Sequence, residues 1–370
     1  MSTAPDLRPT WADINLGAFT RNVDAVVRTL PQGSRLIAVL KADAYGHGAV
    51  ELAKRCAPDR VAMIATALLE ESLELRRAGI SLPLLVLGPL SAEQIVVARD
   101  HDITVGVIGP EELQSACNVA KHRDLTIHLK LDSGMGRMGV VESELPGVVE
   151  MIRSAPRLRI EAIYTHFANA GDPNDPFTLQ QIETFERMLR TLHSAGIDSP
   201  QHHRANSAAT MRGLVSAGDF VRVGLSLFGG EPLDVGTSRL EPIMRWRTEI
   251  ARLKELPPGY AVGYGMTFRT SRPSRIATLP VGYADGYSRL LSNNGEVLVG
   301  GRRVPVVGRV SMDLVTIDVT SVDAKPGDEV VLLGSQGAER ITAEELAVRT
   351  DTISWEVFCR ISRRVPRFYR

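Results

Sequence analysis

The chain has 370 residues, of which 44% are hydrophobic and 23% charged, and its 43 basic side chains equal its 43 acidic ones in number. These values predict a soluble globular protein of about two domains, and the lack of a basic surplus argues against nucleic-acid binding. No apolar run reaches the length of a transmembrane helix, and the first residues lack the pattern of a secretory signal. Three widely spaced cysteines, Cys56, Cys117 and Cys359, indicate neither a zinc site nor a disulfide framework, so we expect a cytoplasmic protein that binds no metal and no membrane.

Short apolar runs alternate with amphipathic stretches between residues 15 and 240. The runs typical of buried strands cover residues 36–40, 61–65, 84–87, 103–107, 125–131, 158–165, 202–205 and 220–224. Between them, the spacing of charged and apolar residues predicts helices, among them residues 67–78, 92–100 and 178–195. Strands that alternate with helices form parallel sheets with right-handed crossovers. Eight such strands predict a (β/α)8 barrel of the TIM type rather than an open doubly wound sheet.

The sequence pattern changes after about residue 240. Short strand-like runs cover residues 296–299, 303–307, 314–319 and 329–333, and they are separated by Gly-Gly, Asp-Leu and Lys-Pro-Gly-Asp sequences that indicate turns. Closely spaced strands with few helices are typical of antiparallel sheets. We therefore predict a barrel domain over residues 15–240 and a mainly antiparallel β domain over residues 241–370.

The segment Lys41-Ala42-Asp43-Ala44-Tyr45-Gly46-His47-Gly48 directly follows the first predicted barrel strand. Catalytic residues of such barrels gather at the C-terminal ends of the strands. Because the preceding run is uncharged, we expect a desolvated Lys41 amine with a lowered pKa, suited to forming a Schiff base with a carbonyl. The two glycines are expected to let a ligand approach the backbone. A lone lysine here would more simply reach into solvent, but Tyr45 and His47 beside it favour a functional site.

This octet resembles the signature of the alanine racemases, which are pyridoxal-phosphate (PLP) enzymes with a (β/α)8 barrel and a C-terminal β domain. Further segments resemble motifs of that family and follow the family's order along the chain. They cover residues 10–14, 129–139, 164–168, 204–209, 221–224, 263–268, 281–287 and 308–313. The resemblance also implies that residues 1–14 provide a strand that joins the C-terminal domain.

The resemblance implies a role for three residues in the reaction. Lys41 would hold PLP as a Schiff base and, once substrate has displaced it, act as a base. Racemisation removes the α-proton from one face and returns a proton to the other, so a second group is needed, and the family supplies Tyr264 from the partner subunit. Arg222 would face the pyridine nitrogen, where a guanidinium that only donates hydrogen bonds leaves that nitrogen unprotonated. A weaker electron sink of this kind favours proton transfer over transamination.

The family's other contacts are carried over in the same way. Further cofactor contacts are implied for Tyr45, His166, Asn206, Ser207, Gly224, Leu225 and Trp355. Substrate contacts are implied for Arg137, Met312, Asp313 and Tyr283. Lys130 would be carbamylated, which turns a cation into an anion able to orient Arg137. From the residues alone, the predicted site residues have simpler interpretations. For example, Arg222 could pair with Asp219, and Tyr264 could pack in its Gly-rich turn.

The predicted function is that of a homodimeric, PLP-dependent alanine racemase with sites shared between subunits, which supplies D-alanine for peptidoglycan. A racemase of broader range, acting on serine as well, is an alternative, because Trp355 replaces the tyrosine that relatives usually carry near the phosphate and entrance. A PLP-dependent decarboxylase is disfavoured because no decarboxylase motif with its reactive cysteine is recognisable. A noncatalytic PLP-binding protein is disfavoured because barrel-only relatives of that kind lack a domain like residues 241–370.

Overall fold

The computed structural model describes residues 8–230 and 240–370 of the chain. The helices, in chain order, are α1 (Leu16–Thr29), α2 (Lys41–Gly46), α3 (Ala49–Ala53), α4 (Leu69–Arg77), α5 (Ala92–Asp100), α6 (Pro110–Ala120), α7 (Leu145–Arg153), α8 (Phe177–Ser194), α9 (Ser207–Met211), α10 (Ala343–Arg349) and α11 (Ser354–Arg360). Among these described residues, no helix has the length and apolar character needed to cross a membrane.

Twenty strands are described. The first nine are β1 (Thr10–Ile14), β2 (Arg35–Val39), β3 (Val61–Thr66), β4 (Leu84–Val86), β5 (Ile103–Val107), β6 (Leu125–Lys130), β7 (Leu158–Tyr164), β8 (Gln201–His203) and β9 (Phe220–Val223). The others are β10 (Met244–Glu249), β11 (Arg252–Leu256), β12 (Ala261–Val262), β13 (Phe268–Arg269), β14 (Ser274–Leu279), β15 (Glu296–Val299), β16 (Arg302–Pro305), β17 (Val315–Asp318), β18 (Glu329–Gln336), β19 (Glu339–Ile341) and β20 (Arg367–Tyr369).

The described residues divide into two compact units. The barrel unit contains residues 19–44, 49–230 and 240. The β unit contains residues 8–18, 45–48 and 241–370. Each unit is therefore assembled from separate stretches of the chain.

Eight parallel strands form the sheet of the barrel unit, in the order β9-β2-β3-β4-β5-β6-β7-β8. The Arg222 amide in β9 donates to the Ala205 carbonyl just after β8, at 2.9 Å, so the sheet is nearly closed. The predicted TIM-type barrel is confirmed, and each predicted run overlaps one of these strands. The prediction succeeds because both faces of most of these strands are buried, which makes them apolar runs.

Local sequence signals also fix the crossover helices. At the start of α5, the Ser91 hydroxyl accepts from the Gln94 amide at 3.3 Å, while the Gln94 side chain accepts from the Ser91 amide at 2.9 Å. This reciprocal capping box satisfies two amides that a helix N-terminus would otherwise leave without partners. Ile95 and Ala98 are the buried residues of α5, and burial of this face holds the helix against the rest of the barrel unit.

The β unit contains one large mixed sheet, in the order β16-β15-β18-β10-β1-β20, with β19 beside β18. A three-stranded sheet, β11-β14-β17, and the hairpin β12-β13 complete its strands. Strand β1 pairs antiparallel with β10 and parallel with β20, so strands from both ends of the described chain lie side by side. The mainly antiparallel β domain is confirmed, and the four runs predicted there overlap β15, β16, β17 and β18.

Candidate active site

The chain leaves β2 through a left-handed turn that begins at Lys41. The four residues 42–45 all have φ between 52° and 56°, a conformation that costs an L-residue about 1–2 kcal/mol each. Backbone strain of this kind persists only where surrounding contacts impose it. Here the Ala44 amide donates to the Leu40 carbonyl at 2.8 Å, and the Asp43 carboxylate accepts from the Ala49 amide at 2.7 Å.

Glu71, on α4, also holds this turn and was missed by sequence reasoning. Its carboxylate accepts from the Ala42 amide at 2.6 Å and from the Ala67 and Leu68 amides at 2.9 and 3.1 Å. Glu71 therefore ties the residue after Lys41 to the start of a helix. A glutamate in the first turn of a helix was visible in the sequence, but nothing there indicated that it also reaches a residue 29 positions earlier.

Lys41 lies at the rim of the barrel, immediately beyond β2, and its side chain is exposed. The burial that the sequence predicted for its amine is therefore not supplied by the described residues of one chain.

The two glycines of the octet have a structural reason that differs from the predicted one. Within the β unit, a Cβ on Gly46 would lie 2.7 Å from the Phe358 carbonyl oxygen, and a Cβ on Gly48 would lie 1.8 Å from the Tyr369 hydroxyl. That they let a ligand approach the backbone stays a prediction. They admit α11 and β20 of the same unit, and the buried His47 ring also packs 4.9 Å from that of Phe358.

Arg222, on β9, is 4% exposed and well supplied with acceptors. Its Nη1 donates to His203 Nδ1 and to the His203 carbonyl, both at 2.7 Å, and its Nη2 donates to the Thr165 carbonyl at 2.7 Å and to His166 Nδ1 at 3.1 Å. Burial lowers its pKa to about 10, so the guanidinium stays charged at neutral pH. The alternative pairing with Asp219 does not form, because Asp219 instead lies 3.4 Å from Arg204.

Four cations of the barrel unit act on His166, just after β7. Burial holds the pKa of this imidazole well below its usual value, and the charges of Arg222, Lys130, Arg137 and Lys41 lower it further. His166 is therefore neutral. The cations lie in or after three different barrel strands, so this rim of the barrel attracts anionic ligands.

Lys130, the last residue of β6, is 4% exposed. Its ammonium lies 6.0 Å from the centre of the Tyr164 ring, which Arg222 approaches to 5.3 Å. Burial, followed by the charges of Arg222 and Arg137, lowers the Lys130 pKa to about 8. A substantial fraction of this amine is therefore neutral near physiological pH.

Arg137 lies in the loop after β6, and Asp132 organises that loop. One Asp132 carboxylate oxygen accepts from the amides of Gly134, Met135 and Gly136 at 2.9, 2.8 and 3.2 Å. These three bonds fold the loop tightly and leave the Arg137 side chain exposed at its end.

The residues after β8 and β9 meet at the same rim. Asn206 caps α9 by accepting from the Ala209 amide at 3.0 Å. The hydroxyl of Ser207 accepts from the Gly224 amide at 3.1 Å, and Leu225 begins a short 3-10 helix, Leu225–Phe228. The structure therefore brings together Asn206, Ser207, Gly224 and Leu225, which belong to the two segments predicted to contact the cofactor.

The predicted residues of the β unit are placed differently. Tyr45 is buried, which together with Cys359 raises its pKa. Trp355 is half-buried on α11. Tyr264 and Met312 are 73% and 52% exposed.

Two more residues of the β unit lie on its surface. Tyr283 is exposed. The carboxylate of Asp313 accepts a 2.7 Å bond from Arg364. Outside residues 1–7 and 231–239, no group of three or more His, Cys, Asp or Glu is arranged to hold a metal ion.

Comparison with known proteins covers both units. The sequence profile of the alanine racemase N-terminal domain matches residues 14–232, and that of the alanine racemase C-terminal domain matches residues 243–369. The chain belongs to the alanine racemase family. Alanine racemases are PLP-dependent isomerases. The resemblance seen in the sequence motifs is thereby confirmed.

Individual alanine racemases match along nearly their whole length. The alanine racemase of Halothermothrix orenii is 42% identical over 369 residues, which cover 98% of this chain and 97% of that protein. The crystal structure of alanine racemase from Bacillus anthracis with bound L-Ala-P has a TM-score of 0.92 at 38% identity, covering 99% of this chain and 96% of the other. That from D-cycloserine-producing Streptomyces lavendulae has a TM-score of 0.92 at 34% identity, covering 99% and 98%.

Proposed function

We propose that this protein interconverts L- and D-alanine with PLP bound through Lys41. The observation that carries the proposal is the set of cations around His166: Lys41, Lys130, Arg137 and Arg222. An amine that can bond a carbonyl, together with guanidiniums for anionic groups, suits PLP and an amino-acid carboxylate.

Arg222 provides a specific test of whether PLP fits. Both terminal nitrogens of its guanidinium are occupied by protein acceptors, whereas its Nε–H donates no hydrogen bond within the described residues. This remaining donor suits a ring nitrogen that carries no proton. The Ser207 hydroxyl accepts from the Gly224 amide, which leaves its own O–H to donate to the phosphate. The backbone at Gly224 and Leu225 and the Tyr45 hydroxyl are proposed as its further contacts. His166, Asn206 and Trp355 complete the proposed cofactor contacts.

When bound, PLP draws electrons away from the Cα–H bond of the amino acid and so makes the α-proton removable. Lys41 Nζ moves that proton on one face of Cα, and the phenol oxygen of Tyr264 from the partner subunit moves it on the other. The Arg137 fork binds the substrate carboxylate through two directed hydrogen bonds. Met312, Asp313 and Tyr283 border the substrate from the partner.

Lys130 is proposed to carry a carbamate that orients Arg137. The ammonium first loses one proton, and the neutral nitrogen then bonds the carbon of CO2 and releases a second proton, so a buried cation becomes an anion. Burial disfavours the Lys130 ammonium, and the positive charges of Arg222 and Arg137 repel it, so loss of this cation is favoured.

We expect a carbamate carbon signal when the protein is equilibrated with 13C-labelled bicarbonate and observed by 13C NMR. The signal should grow as the pH rises through about 8, because the neutral fraction of Lys130 grows there. It should vanish in Lys130→Ala and persist in Lys121→Ala, which removes an exposed lysine of the same unit. Equal signals in both variants would assign the carbamate elsewhere.

A homodimer is supported by an exposed apolar surface of the β unit. The large apolar side chains on it are Tyr264, Met266, Tyr283, Met312 and Leu314. Backbone bonds join the Tyr283 and Met312 loops, because the amides of Tyr283 and Ala284 donate to the carbonyls of Ser311 and Met312 at 3.0 Å each. The Tyr264 loop lies beside them, since a Cβ on Gly263 would lie 3.3 Å from the Arg309 amide nitrogen. Contiguous apolar surface of this kind marks interaction sites. We propose that a second copy covers it and that each site takes Tyr264 from its partner.

The test of the function is α-proton exchange in heavy water, followed by NMR across a panel of L- and D-amino acids with PLP present. Exchange and inversion confined to alanine are the expected result. Exchange of serine as well would favour the broader racemase, and Trp355→Tyr should then narrow the range. Bound PLP without exchange would contradict a racemase and favour the binding-protein or decarboxylase alternatives. We further propose that the enzyme works in the cytoplasm and that its D-alanine serves peptidoglycan.

A further inference from the structure

A line of hydrogen-bonded side chains leads from Arg222 through the interior of the barrel unit. Arg222 Nη1 lies 2.7 Å from His203 Nδ1, His203 Nε2 lies 2.9 Å from His128 Nδ1, and His128 Nε2 lies 3.1 Å from Glu161 Oε2. Both imidazoles are fully buried, whereas the Glu161 side chain is one-third exposed. These four residues are called the relay.

Only one arrangement of protons satisfies the relay. A guanidinium can only donate, so His203 Nδ1 must accept and the His203 proton sits on Nε2. That proton is donated to His128 Nδ1, which leaves the His128 proton on Nε2, directed at a carboxylate that can only accept. Burial lowers the pKa of both histidines, so each carries a single proton. All three bonds therefore point from Arg222 to Glu161.

The relay also supplies the negative charge that Arg222 lacks nearby. In the described parts of the chain, no carboxylate forms an ion pair with Arg222, although a buried cation without compensation is costly. The bond from His128 holds the pKa of Glu161 below its usual value, so this carboxylate is ionised. Hydrogen bonds aligned in series polarise one another, so the Glu161 charge acts on Arg222 through the two imidazoles.

The barrel departs from a regular ladder at Glu161. Between β6 and β7, Ile127 pairs with Ile160 but His128 pairs with Ala162, so Glu161 is an extra residue in β7. Bulges re-aim side chains and are rare between parallel strands. This one places Glu161 within hydrogen-bond distance of His128.

The plane of the His203 ring is fixed as well. Tyr164 stacks on it with ring centres 4.5 Å apart and an angle of 4° between the planes. Because the ring cannot tilt, the direction of the His203 lone pair toward Arg222 is set by the protein.

We propose that Glu161, acting through His128 and His203, is a positioning residue that aims the Arg222 guanidinium. This inference rests on the proposed function, in which the remaining Arg222 Nε–H faces the ring nitrogen of PLP. Glu161 touches neither cofactor nor substrate in that arrangement. It acts by fixing the tautomers of His128 and His203.

The first test reads the tautomers directly. In 15N-labelled holoenzyme, NMR should show His128 and His203 neutral with the proton on Nε2. The chain has eight histidines, so the signals are assigned by replacing His128 and His203 one at a time. Glu161→Gln should disturb the His128 signals, because an amide can donate or accept. The matched control is Glu142→Gln, which removes a carboxylate of the same unit paired with Arg187. A proton on Nδ1 of either histidine in wild type, or identical spectra for the two variants, would overturn the relay.

The second test separates positioning from general damage to the fold. Glu161→Gln should lower kcat for racemisation about tenfold with KM unchanged, the size expected for one charge-assisted hydrogen bond, whereas Glu142→Gln should not change it. His128→Asn should lower kcat similarly, and the double variant should be no worse than either single one, because both changes break the same line. Additive losses would contradict action through His128. Wild-type holoenzyme that does not racemise alanine would instead overturn the proposed function, while its tautomers would still report on the relay.

Discussion

Lys41→Ala is expected to lower the racemisation rate by at least about 10⁴-fold, because in the proposed function one side chain both holds the cofactor and transfers the α-proton. The variant should also lose covalently held PLP, measured as cofactor that remains with the protein after reduction with borohydride and denaturation. The rate and the covalently held PLP are both measured, since Arg222 and Ser207 are expected to keep binding PLP weakly and noncovalently in this variant.

The control for this change is Lys54→Ala, in the same unit. Lys54 is exposed and pairs with Glu51 at 2.6 Å, so its removal should leave the rate and the bound PLP unchanged. Racemisation by Lys41→Ala within tenfold of wild type would show that another residue holds the cofactor.

Tyr264→Phe is expected to slow racemisation by at least about 100-fold, the loss typical of one general acid–base group. Because the variant keeps Lys41, it should still bind PLP and still exchange the α-proton of one alanine enantiomer in heavy water without inverting it. NMR of L- and D-alanine incubated separately distinguishes exchange from inversion. Tyr260→Phe removes another exposed phenol four residues away and should behave as wild type. Normal inversion by Tyr264→Phe would contradict the two-base assignment.

Mixing these two inactive variants tests whether sites are shared. If Lys41 and Tyr264 of one site come from different subunits, a mixed dimer of Lys41→Ala and Tyr264→Phe contains one intact site and one doubly defective site. Random exchange of subunits would then restore about one quarter of wild-type activity, because half of the dimers are mixed and each has one working site of two. No recovery in demonstrated mixed dimers would indicate that both residues come from one subunit.

Most barrel strands could be predicted because they are buried on both faces, but β10 and β11 of the β unit could not. Strand β10 carries Arg245 and Arg247, whose charges predict exposure to solvent. Arg247 is nevertheless only 6% exposed and pairs with Asp13 at 2.6 Å. Charged strands are paired by residues distant in sequence, so local hydrophobicity does not reveal them. Strand β11 is largely exposed and has no apolar run to detect.

The site shows the same division between local and distant information. Lys41, Arg137 and Arg222 could be proposed from the sequence because each belongs to a family motif in or after a barrel strand. The left-handed turn after Lys41 was not, because alanine, aspartate and tyrosine disfavour it and Glu71 enforces it from α4. Glu161 was missed for a related reason, since its approach to His128 depends on a register shift between strands.

The pairing of β1 with β20 has a consequence for how the protein is made. The barrel unit draws on residues up to 240, so its strands can pair before the rest of the chain leaves the ribosome. The β unit cannot be completed until the very late strand β20 has been synthesised and pairs with β1. Residues 45–48 belong to that unit, and Arg367 Nε donates to the Gly46 carbonyl at 3.0 Å. The segment that follows Lys41 therefore gains this anchor only after a residue 321 positions further along the chain has been added, which delays the proposed site until long after the barrel strands have been made.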